Sequence, residues 1–291
     1  MKYRVDIDFI GLGEASKAYG GKLEAWSFFE ITGEKWFCDF RQNILNNIGK
    51  QFLPVYRMAD GEYRFLMGRK YNFHRKPLYK ELLAVTAEKI KLSNPNKWKT
   101  SWGEEYSPSD KNRLNTELIN NIKYISETGY LACYINDNGL NAFTEYNKHA
   151  PIFLSKNNIT FDEKNYIPFH FVVGLLINYE WRDLYDNKNI LVVYGGNDES
   201  ENKIKQTLLG LGSNSIEFLR ISETSSMKDK IDLSDIHKPI DICFVAAGIG
   251  SANILRQLEP LKTVVLDIGG YINCFIDPKA IQHGGIFRLP K

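Results

Sequence analysis

Short apolar runs alternate with amphipathic stretches through the second half of the chain. Four of these runs predict buried strands, at residues 189–194, 215–221, 241–247 and 263–267. Helical spacing of apolar residues follows the first run over about 199–211 and the third run over about 252–258. Strands that are apolar on both faces and alternate with such helices are typical of a parallel sheet covered on both sides.

The first half of the chain repeats this pattern less regularly. Apolar runs at 52–56 and 130–135 predict two more strands, and a loose alternation predicts another over 3–10. Apolar residues three and four positions apart predict helices at 39–50, 77–92, 107–127 and 168–184. Asp39 is the predicted N-cap of the first of these helices.

Together these elements predict an α/β protein with a Rossmann-like, mostly parallel sheet and helices on both of its faces. We expect one α/β domain over residues 39–291, preceded by an N-terminal extension over residues 1–38. The later part of the extension is rich in glycine and aromatic residues, and we expect the extension to add an edge strand to the sheet.

A cation and two carboxylates follow the strand predicted at 52–56. Arg57 comes directly after it, and Asp60 and Glu62 stand on either side of Gly61. Parallel sheets place their binding sites at the carboxyl ends of strands, where two carboxylates can share a hard divalent cation that bridges a diphosphate. In a structural alternative, Asp60 and Gly61 set the geometry of a turn and Glu62 caps the next helix. Taken alone, so short a motif favours the structural alternative.

Two glycine-containing turns end other predicted strands, and their residues are Gly195, Gly196 and Asn197 in the first and Gly248, Gly250 and Ser251 in the second. Glycines after a strand let the backbone approach a phosphate, and the following helix supplies amide donors. Asp267 ends the last predicted strand. Each turn taken alone is more typical of an ordinary strand-to-helix connection than of a phosphate site.

Composition narrows the class of protein. The hydrophobic fraction of 43% and the charged fraction of 25% among 291 residues are ordinary for a globular protein. The 37 basic and 35 acidic side chains leave a net charge of +2, so no overall field favours nucleic acid as a partner. The aromatic fraction of 13% suits the binding of bases and sugar faces.

Cysteine and histidine positions argue against a zinc site or a disulfide framework. The four cysteines form no C-x-x-C pair, and the five histidines show no metal-ligand spacing. We therefore expect a reducing cytoplasm, because the first residues also lack the apolar core of a signal peptide. No run approaches the roughly 20 apolar residues of a membrane span, although peripheral docking at the inner face of a membrane stays compatible with the sequence. The pattern specifies no oligomeric state.

Residues 57–62, Arg-Met-Ala-Asp-Gly-Glu, resemble the Arg-Phe-Gly-Asp-Gly-Glu signature of the GT-D-type glycosyltransferases, a bacterial family formerly known as a domain of unknown function. The arginine and the Asp-x-Glu pair are kept. Met58 and Ala59 differ from the pair that the family usually has.

Later parts of the chain resemble the same family in the same order. Residues 189–197 are similar to its strand and glycine turn, and residues 244–258 to a later strand, turn and helix. Residues 265–269, Val-Leu-Asp-Ile-Gly, are similar to its closing Leu-Asp-Ile-Gly. The family commonly has His next, where this chain has Gly270.

This resemblance implies the transfer of a sugar from a nucleotide-diphosphate sugar, commonly a UDP-sugar, with Mn²⁺ or Mg²⁺ as cofactor. Asp60 and Glu62 would be the catalytic pair that engages the metal and the donor diphosphate, and Arg57 would contact the phosphates or orient the carboxylates. The two glycine turns and Asp267 would approach the nucleotide. The implied acceptor is a glycan, glycolipid or glycoprotein in the synthesis of a bacterial surface glycan.

Two other functions fit the sequence. One is a pyruvyl- or phosphate-transferring enzyme that acts on polysaccharides, and the donor that stabilises the protein would distinguish it. The other is a protein that binds a nucleotide sugar without turnover, and binding without release of free nucleoside diphosphate would indicate it. An inverting transferase also needs a general base, and the candidates by residue type alone are Glu104, Glu105 and His170.

Overall fold

The computed structural model describes residues 3–10, 23–68, 78–92, 98–99, 105–133, 135, 146, 149–177 and 180–277. Its strands are β1 (Tyr3–Asp6), β2 (Glu24–Ser27), β3 (Leu53–Met58), β4 (Trp98–Lys99), β5 (Glu105–Tyr106), β6 (Tyr130–Cys133), β7 (Tyr166–Pro168), β8 (Asn189–Tyr194), β9 (Ser215–Arg220), β10 (Ile242–Ala246) and β11 (Val264–Asp267). Its helices are α1 (Gly33–Asn47), α2 (Asp60–Met67), α3 (Leu78–Leu92), α4 (Pro108–Thr128), α5 (Ala150–Lys156), α6 (His170–Ile177), α7 (Arg182–Tyr185), α8 (Asp198–Gly210), α9 (Ser251–Gln257) and α10 (Ile272–Ile276).

A parallel sheet forms the centre of the protein. Its seven strands lie in the order β7-β6-β3-β11-β10-β8-β9, and every neighbouring pair is parallel. All six residues of β3 and all four of β11 are buried, as expected for strands covered on both faces. Within the described residues, no helix has both the length and the apolar character needed to cross a membrane.

The connections between strands run in two directions along the sheet. β3 leads to β6 and β10 leads to β11 in one direction, and the helices of these connections, α4 and α9, pack against each other. β8 leads through α8 to β9 in the opposite direction, and α8 packs against α10. Because such crossovers are right-handed, the two groups of helices lie on opposite faces of the sheet. The predicted α/β class with a Rossmann-like parallel sheet is therefore confirmed.

This reversal creates a topological switch point between β8 and β10. In open α/β sheets, ligands bind in the crevice at the carboxyl ends of the strands beside such a point. Both predicted glycine turns flank it, because one follows β8 and the other follows β10. The topology therefore predicts a ligand-binding site at this edge of the sheet.

Strand β11 joins two halves of the sheet. On one side it pairs with β3, and on the other side it pairs with β10. Strands β3, β6 and β7 form the first half, and β10, β8 and β9 form the second. The first and last strands of the sheet in sequence are thus neighbours at its centre.

The N-terminal residues form a hairpin instead of the expected edge strand. β1 pairs antiparallel with β2 in a sheet of their own, and β1 is shorter than the strand predicted over 3–10. Apolar side chains of this hairpin belong to the main core, among them Val5 and Ala25. The described residues therefore contradict the expectation of an added edge strand, because the hydrogen bonds of β1 are taken up by β2.

Helix α1 begins six residues before its predicted start. Its N-cap is Thr32, whose Oγ1 accepts a hydrogen bond from the Lys35 N–H at 3.3 Å, so the prediction of Asp39 as N-cap is wrong. Asp39 instead accepts a hydrogen bond from Lys35 Nζ at 2.8 Å. Burial of Trp36 extends the apolar face of the helix toward its start. The division of the chain at residue 38, which falls inside α1, stays a prediction.

The helix predicted at 168–184 is wrong at its beginning. Residues Tyr166–Pro168 form β7, the edge strand beside β6, and Pro168 lies opposite Cys133. Proline lacks an N–H and is tolerated at the edge of a sheet. The chain then turns, since the Phe169 N–H donates to the Cys133 carbonyl at 3.0 Å, and α6 begins one residue later.

Candidate active site

A cavity of about 290 Å³ opens at the carboxyl edge of the sheet. The turns that follow β3, β8, β9, β10 and β11 form its wall, so the cavity includes the switch point. Its volume lies near the lower end of the roughly 300–1,000 Å³ of small-molecule sites. Six of the residues predicted for the site line it: Arg57, Asp60, Glu62, Gly195, Gly248 and Asp267.

In the turn after β8, Gly196 and Asn197 lie beside the cavity and support its wall. Asn197 caps α8, because its Oδ1 accepts a hydrogen bond from the Ser200 N–H at 2.9 Å. A Cβ on Gly196 would lie 2.1 Å from the ring of Tyr194, so a glycine is needed for this close packing. Contact of either residue with a nucleotide stays a prediction.

Gly250 and Ser251, in the turn after β10, also make contacts within the protein. A Cβ on Gly250 would lie 2.2 Å from Ser226 Oγ. Ser251 is fully buried, and its Oγ donates a hydrogen bond to Asp267 Oδ1 at 3.1 Å. Ser251 therefore orients a carboxylate of the cavity wall, and its own contact with a nucleotide stays a prediction.

Glu62 caps helix α2, as in the structural alternative for this turn. Its Oε2 accepts a hydrogen bond from the Ala59 N–H at 3.0 Å, and the residue is only 6% exposed. Burial raises the pKa of Glu62 to about 8, and the nearby charge of Asp267 adds to this effect. The carboxyl group therefore carries a proton at neutral pH when no cation is close to it. Binding of a metal by Glu62 stays a prediction and requires that proton to leave.

Asp267 is a second buried carboxylate, at the end of β11. Its Oδ2 accepts a hydrogen bond from the backbone N–H of Arg57 at 3.2 Å, and its Oδ1 accepts the hydrogen bond from Ser251. Burial raises the pKa of Asp267, whereas the positive charge of Arg57 acts to lower it. The adjacent ends of β3 and β11 thus hold a buried cation and a buried carboxylate together.

Arg57 lies in the floor of the cavity, and its position depends on a glycine. Its Cζ atom lies 4.9 Å from the centre of the Phe169 ring, a cation–π contact. The Nη2 atom occupies space that only glycine leaves free at position 269, because a Cβ there would lie 2.0 Å away. Gly269 also has φ +45°, in the left-handed region. Gly269 was not predicted as a site residue, although the Gly-Gly pair after the last predicted strand signals it.

Replacing Gly269 by alanine is expected to lower the free energy of unfolding by at least about 1–2 kcal/mol, because a Cβ in the left-handed region is strained. Contact between the new Cβ and Arg57 adds to that loss. Gly270→Ala is the matched control, since a Cβ there meets no atom within 4 Å and its φ is not positive. Urea unfolding followed by circular dichroism measures both variants, and equal stability of the two would contradict this account of Gly269.

His170, a candidate general base by residue type, is fully buried at the start of α6. Burial lowers its pKa to about 3, and the positive charge of Arg57 acts in the same direction. An acceptor hydroxyl cannot reach a side chain with no exposed surface, so this structure does not support His170 as the base. Glu104 and the side chain of Glu105 lie outside the described parts of the chain.

Carboxyl groups outnumber cations in the cavity wall. Within the described residues, its four acidic side chains, Asp60, Glu62, Glu223 and Asp267, face a single basic one, Arg57. Glu223 was missed by the sequence analysis because it is a lone acid in the polar loop after β9. Its only signal is that it follows the end of a predicted strand.

A divalent cation in this cavity, shared with a ligand, stays a prediction. Among the residues that the structure describes, no group of three or more His, Cys, Asp and Glu side chains could hold a metal by itself. Mg²⁺ commonly binds through one or two carboxylates together with substrate phosphates and water. Asp60 and Glu62 could supply two such carboxylates at the start of α2, and a bound anion would supply the remaining oxygens.

No family model matches the chain, and no curated protein matches it. Two solved structures are similar to it. One, described as "the highly conserved domain of unknown function 1792" with "a distinct glycosyltransferase fold", is 15% identical, with 84% of this chain and 83% of that chain covered and a TM-score of 0.44. The other, a selenomethionine-substituted structure of domain of unknown function 1792, is 14% identical, with 80% and 82% covered and a TM-score of 0.43. Likeness of this degree assigns no activity to the chain.

Proposed function

We propose that this chain is a metal-dependent glycosyltransferase that moves a sugar from a nucleotide-diphosphate sugar, most simply a UDP-sugar, to a glycan, glycolipid or glycoprotein acceptor of a bacterial surface. One observation supports this function above all others. The carboxylate pair Asp60 and Glu62 opens onto the same cavity as the glycine turns at Gly195 and Gly248, across a topological switch point. Carboxylates for a cation and, at Gly248, open backbone for a phosphate are thus combined in one place.

The charge of the cavity explains why a cation is part of the proposal. Its acidic side chains would repel a diphosphate, and Arg57 alone cannot offset them. Bound by Asp60, Glu62 and the donor phosphates, Mn²⁺ or Mg²⁺ would supply the positive charge that stabilises the departing nucleoside diphosphate. The capping bond from the Ala59 N–H fixes the orientation of Glu62.

Two further features of the chain itself suit a diphosphate. The guanidinium of Arg57 is held in the floor of the cavity by Phe169 and Gly269, so its charge is fixed before a ligand arrives. Gly248 has φ +53°, and a Cβ there would meet no atom within 4 Å. The open space beside this glycine leaves room for a phosphate to approach the backbone.

A binding protein without turnover is the second candidate, and the state of Glu62 favours it. Its carboxyl group is buried, protonated at neutral pH and already engaged in capping α2. If Glu62 stays in that state when the donor is bound, Asp60 is the remaining carboxylate of the pair. Donor binding without release of free nucleoside diphosphate would then be observed.

Replacing Asp60 by asparagine tests the proposal. The wild type is expected to melt at a higher temperature with UDP-glucose, UDP-galactose or another nucleotide sugar when Mn²⁺ is present, and to release nucleoside diphosphate. In Asp60→Asn we expect this thermal shift to vanish and nucleotide release to fall by about 100-fold or more, because one charged ligand to the cation is lost.

Asp232→Asn is the matched control, since Asp232 is exposed on a loop and its Oδ1 accepts a hydrogen bond from the Ser234 N–H at 2.9 Å. This control is expected to behave as the wild type in both assays. Donor binding and nucleotide release that survive unchanged in Asp60→Asn would refute the proposed role of the carboxylate pair.

A further inference from the structure

The turn after β9 places Glu223 in the cavity wall, against the turn after β8. A Cβ on Gly195 would lie 3.0 Å from both Cγ and the backbone N of Glu223, so the two turns are packed closely. The Glu223 side chain is exposed, and in the described part of the chain it makes no hydrogen bond or ion pair. The carboxylate of an exposed cavity-lining residue that makes no hydrogen bond or ion pair of its own is available to a ligand.

Glu223 and Gly195 occupy related places in one βαβ unit, formed by β8, α8 and β9. In nucleotide-binding folds of this kind, the glycine turn after the first strand lies near the phosphates. A carboxylate at the end of the next strand hydrogen-bonds a ribose hydroxyl. Glu223 stands at the place of that carboxylate, after the second strand of the unit, and both Glu223 and Gly195 line the cavity.

The start of helix α8 disfavours the diphosphate on this side of the cavity. Asp198 and Glu201 lie in its first turn and both pair with Arg220. These carboxylates oppose the positive end of the helix dipole, which would otherwise attract a phosphate. The diphosphate is therefore better placed toward Gly248 and Asp60, which leaves the β8–β9 end of the cavity for the nucleoside.

The dimensions and the surface of the cavity agree with this orientation. From β3 to β9 the edge of the sheet spans four strand spacings, roughly 19 Å at about 4.8 Å each, which accommodates a sugar, a diphosphate and a nucleoside in line. Ile221, two residues before Glu223, and Ile272 contribute apolar surface to the wall. Such surface suits the face of a base.

We infer that Glu223 is the ribose-binding residue of a nucleoside subsite, and that it accepts hydrogen bonds from the hydroxyls of a ribonucleoside diphosphate. This inference rests on the proposed function, because it assigns one part of the donor to one end of the same cavity. Its consequence is a preference for ribonucleotides over 2′-deoxyribonucleotides. A deoxyribose would leave the Glu223 carboxylate without one of its partners.

Isothermal titration in the presence of Mn²⁺ tests the inference. The wild type is titrated with UDP, ADP, GDP and CDP, and the tightest of these is compared with its 2′-deoxy counterpart. We expect the ribonucleotide to bind about tenfold more tightly or better, because a hydrogen bond to a charged group is lost in the deoxy compound. In Glu223→Ala the two forms are expected to bind equally.

Glu199→Gln is the matched control, because Glu199 carries the same charge on α8 and pairs with Lys203 away from the cavity wall. It should keep the ribose preference of the wild type. Melting temperatures without ligand verify that each variant is folded, and Glu223→Gln, which keeps the shape of the side chain, should show a reduced preference.

The outcomes separate this inference from the proposed function. Nucleotide binding that depends on Asp60 but shows the same ribose preference in the wild type and in Glu223→Ala would overturn the inference alone. Equal affinity of the wild type for the ribonucleotide and for its 2′-deoxy counterpart would also overturn the inference alone. Absence of binding by all four nucleoside diphosphates would overturn both.

Discussion

Replacing Asp267 by alanine is expected to lower the free energy of unfolding by at least about 2 kcal/mol, because two buried donors are left without their acceptor at about 1–3 kcal/mol each. Arg57, which is only 6% exposed, would lose a nearby negative charge. The Arg57 N–H and the Ser251 hydroxyl would also lose their acceptor. Urea unfolding at pH 7, followed by circular dichroism, measures the loss.

Two variants show which part of the loss is electrostatic. Asp267→Asn keeps the shape of the side chain and one acceptor oxygen, so its loss reports the missing charge together with one of the two hydrogen bonds. Ser251→Ala removes a single hydrogen bond and is expected to cost about 1 kcal/mol. If Asp267→Ala were no less stable than Ser251→Ala, neither the charge of Asp267 nor its hydrogen bond with the Arg57 N–H would contribute to stability.

The Glu62→Gln variant is expected to gain stability relative to the wild type as the pH rises. The pKa of Glu62 is raised from 4.5 to about 8 in the folded protein, so the folded state holds this proton more tightly than the unfolded state. The contribution of Glu62 to stability is therefore complete below about pH 4.5 and is lost between there and about pH 8. Glutamine does not titrate, and its Oε1 can still accept the hydrogen bond from the Ala59 N–H.

The difference in unfolding free energy between the two proteins should change by up to about 1.4 kcal/mol per pH unit in this window and level off above it. Urea titrations from pH 4 to pH 9, without metal, measure this difference. When both proteins also carry Asp267→Asn, the difference in their unfolding free energy should level off at a lower pH. The reason is that the charge of Asp267 is the second cause of the raised pKa of Glu62. If the unfolding free energies of the wild type and Glu62→Gln changed in parallel with pH, Glu62 would have its ordinary pKa in the folded protein.

The strands of the second half could be predicted because burial on both faces makes their sequences almost continuously apolar. β8 lies between two helix-covered faces, so Asn189–Tyr194 is almost wholly apolar, and its predicted and observed limits agree. Arg57 and Asp267 could be predicted for a related reason. Each interrupts or ends an apolar strand with a charge, and the carboxyl ends of parallel strands share one edge.

Other features depend on tertiary contacts that no local pattern records. β7 has three residues and owes its existence to pairing with β6, whereas the apolar run that follows it is typical of a buried helix. Glu223 became part of the cavity only because β9 lies beside β8. The structure shows the capping role of Glu62, yet the same spacing fits a metal ligand equally well, since a carboxylate at that position can serve in either role.

The central place of β11 has a consequence for how the chain is made. Of the strands of the parallel sheet, β3, β6 and β7 are synthesised first, and β8, β9 and β10 follow. Strand β11, which lies between these two groups in the sheet, is synthesised last. Until residues 264–267 emerge, β3 and β10 each expose an unpaired edge, which is prone to aggregation. Arg57 and Asp267, 210 residues apart, therefore meet only when β11 enters the sheet, so the cavity is completed after all the other strands of the sheet have been synthesised.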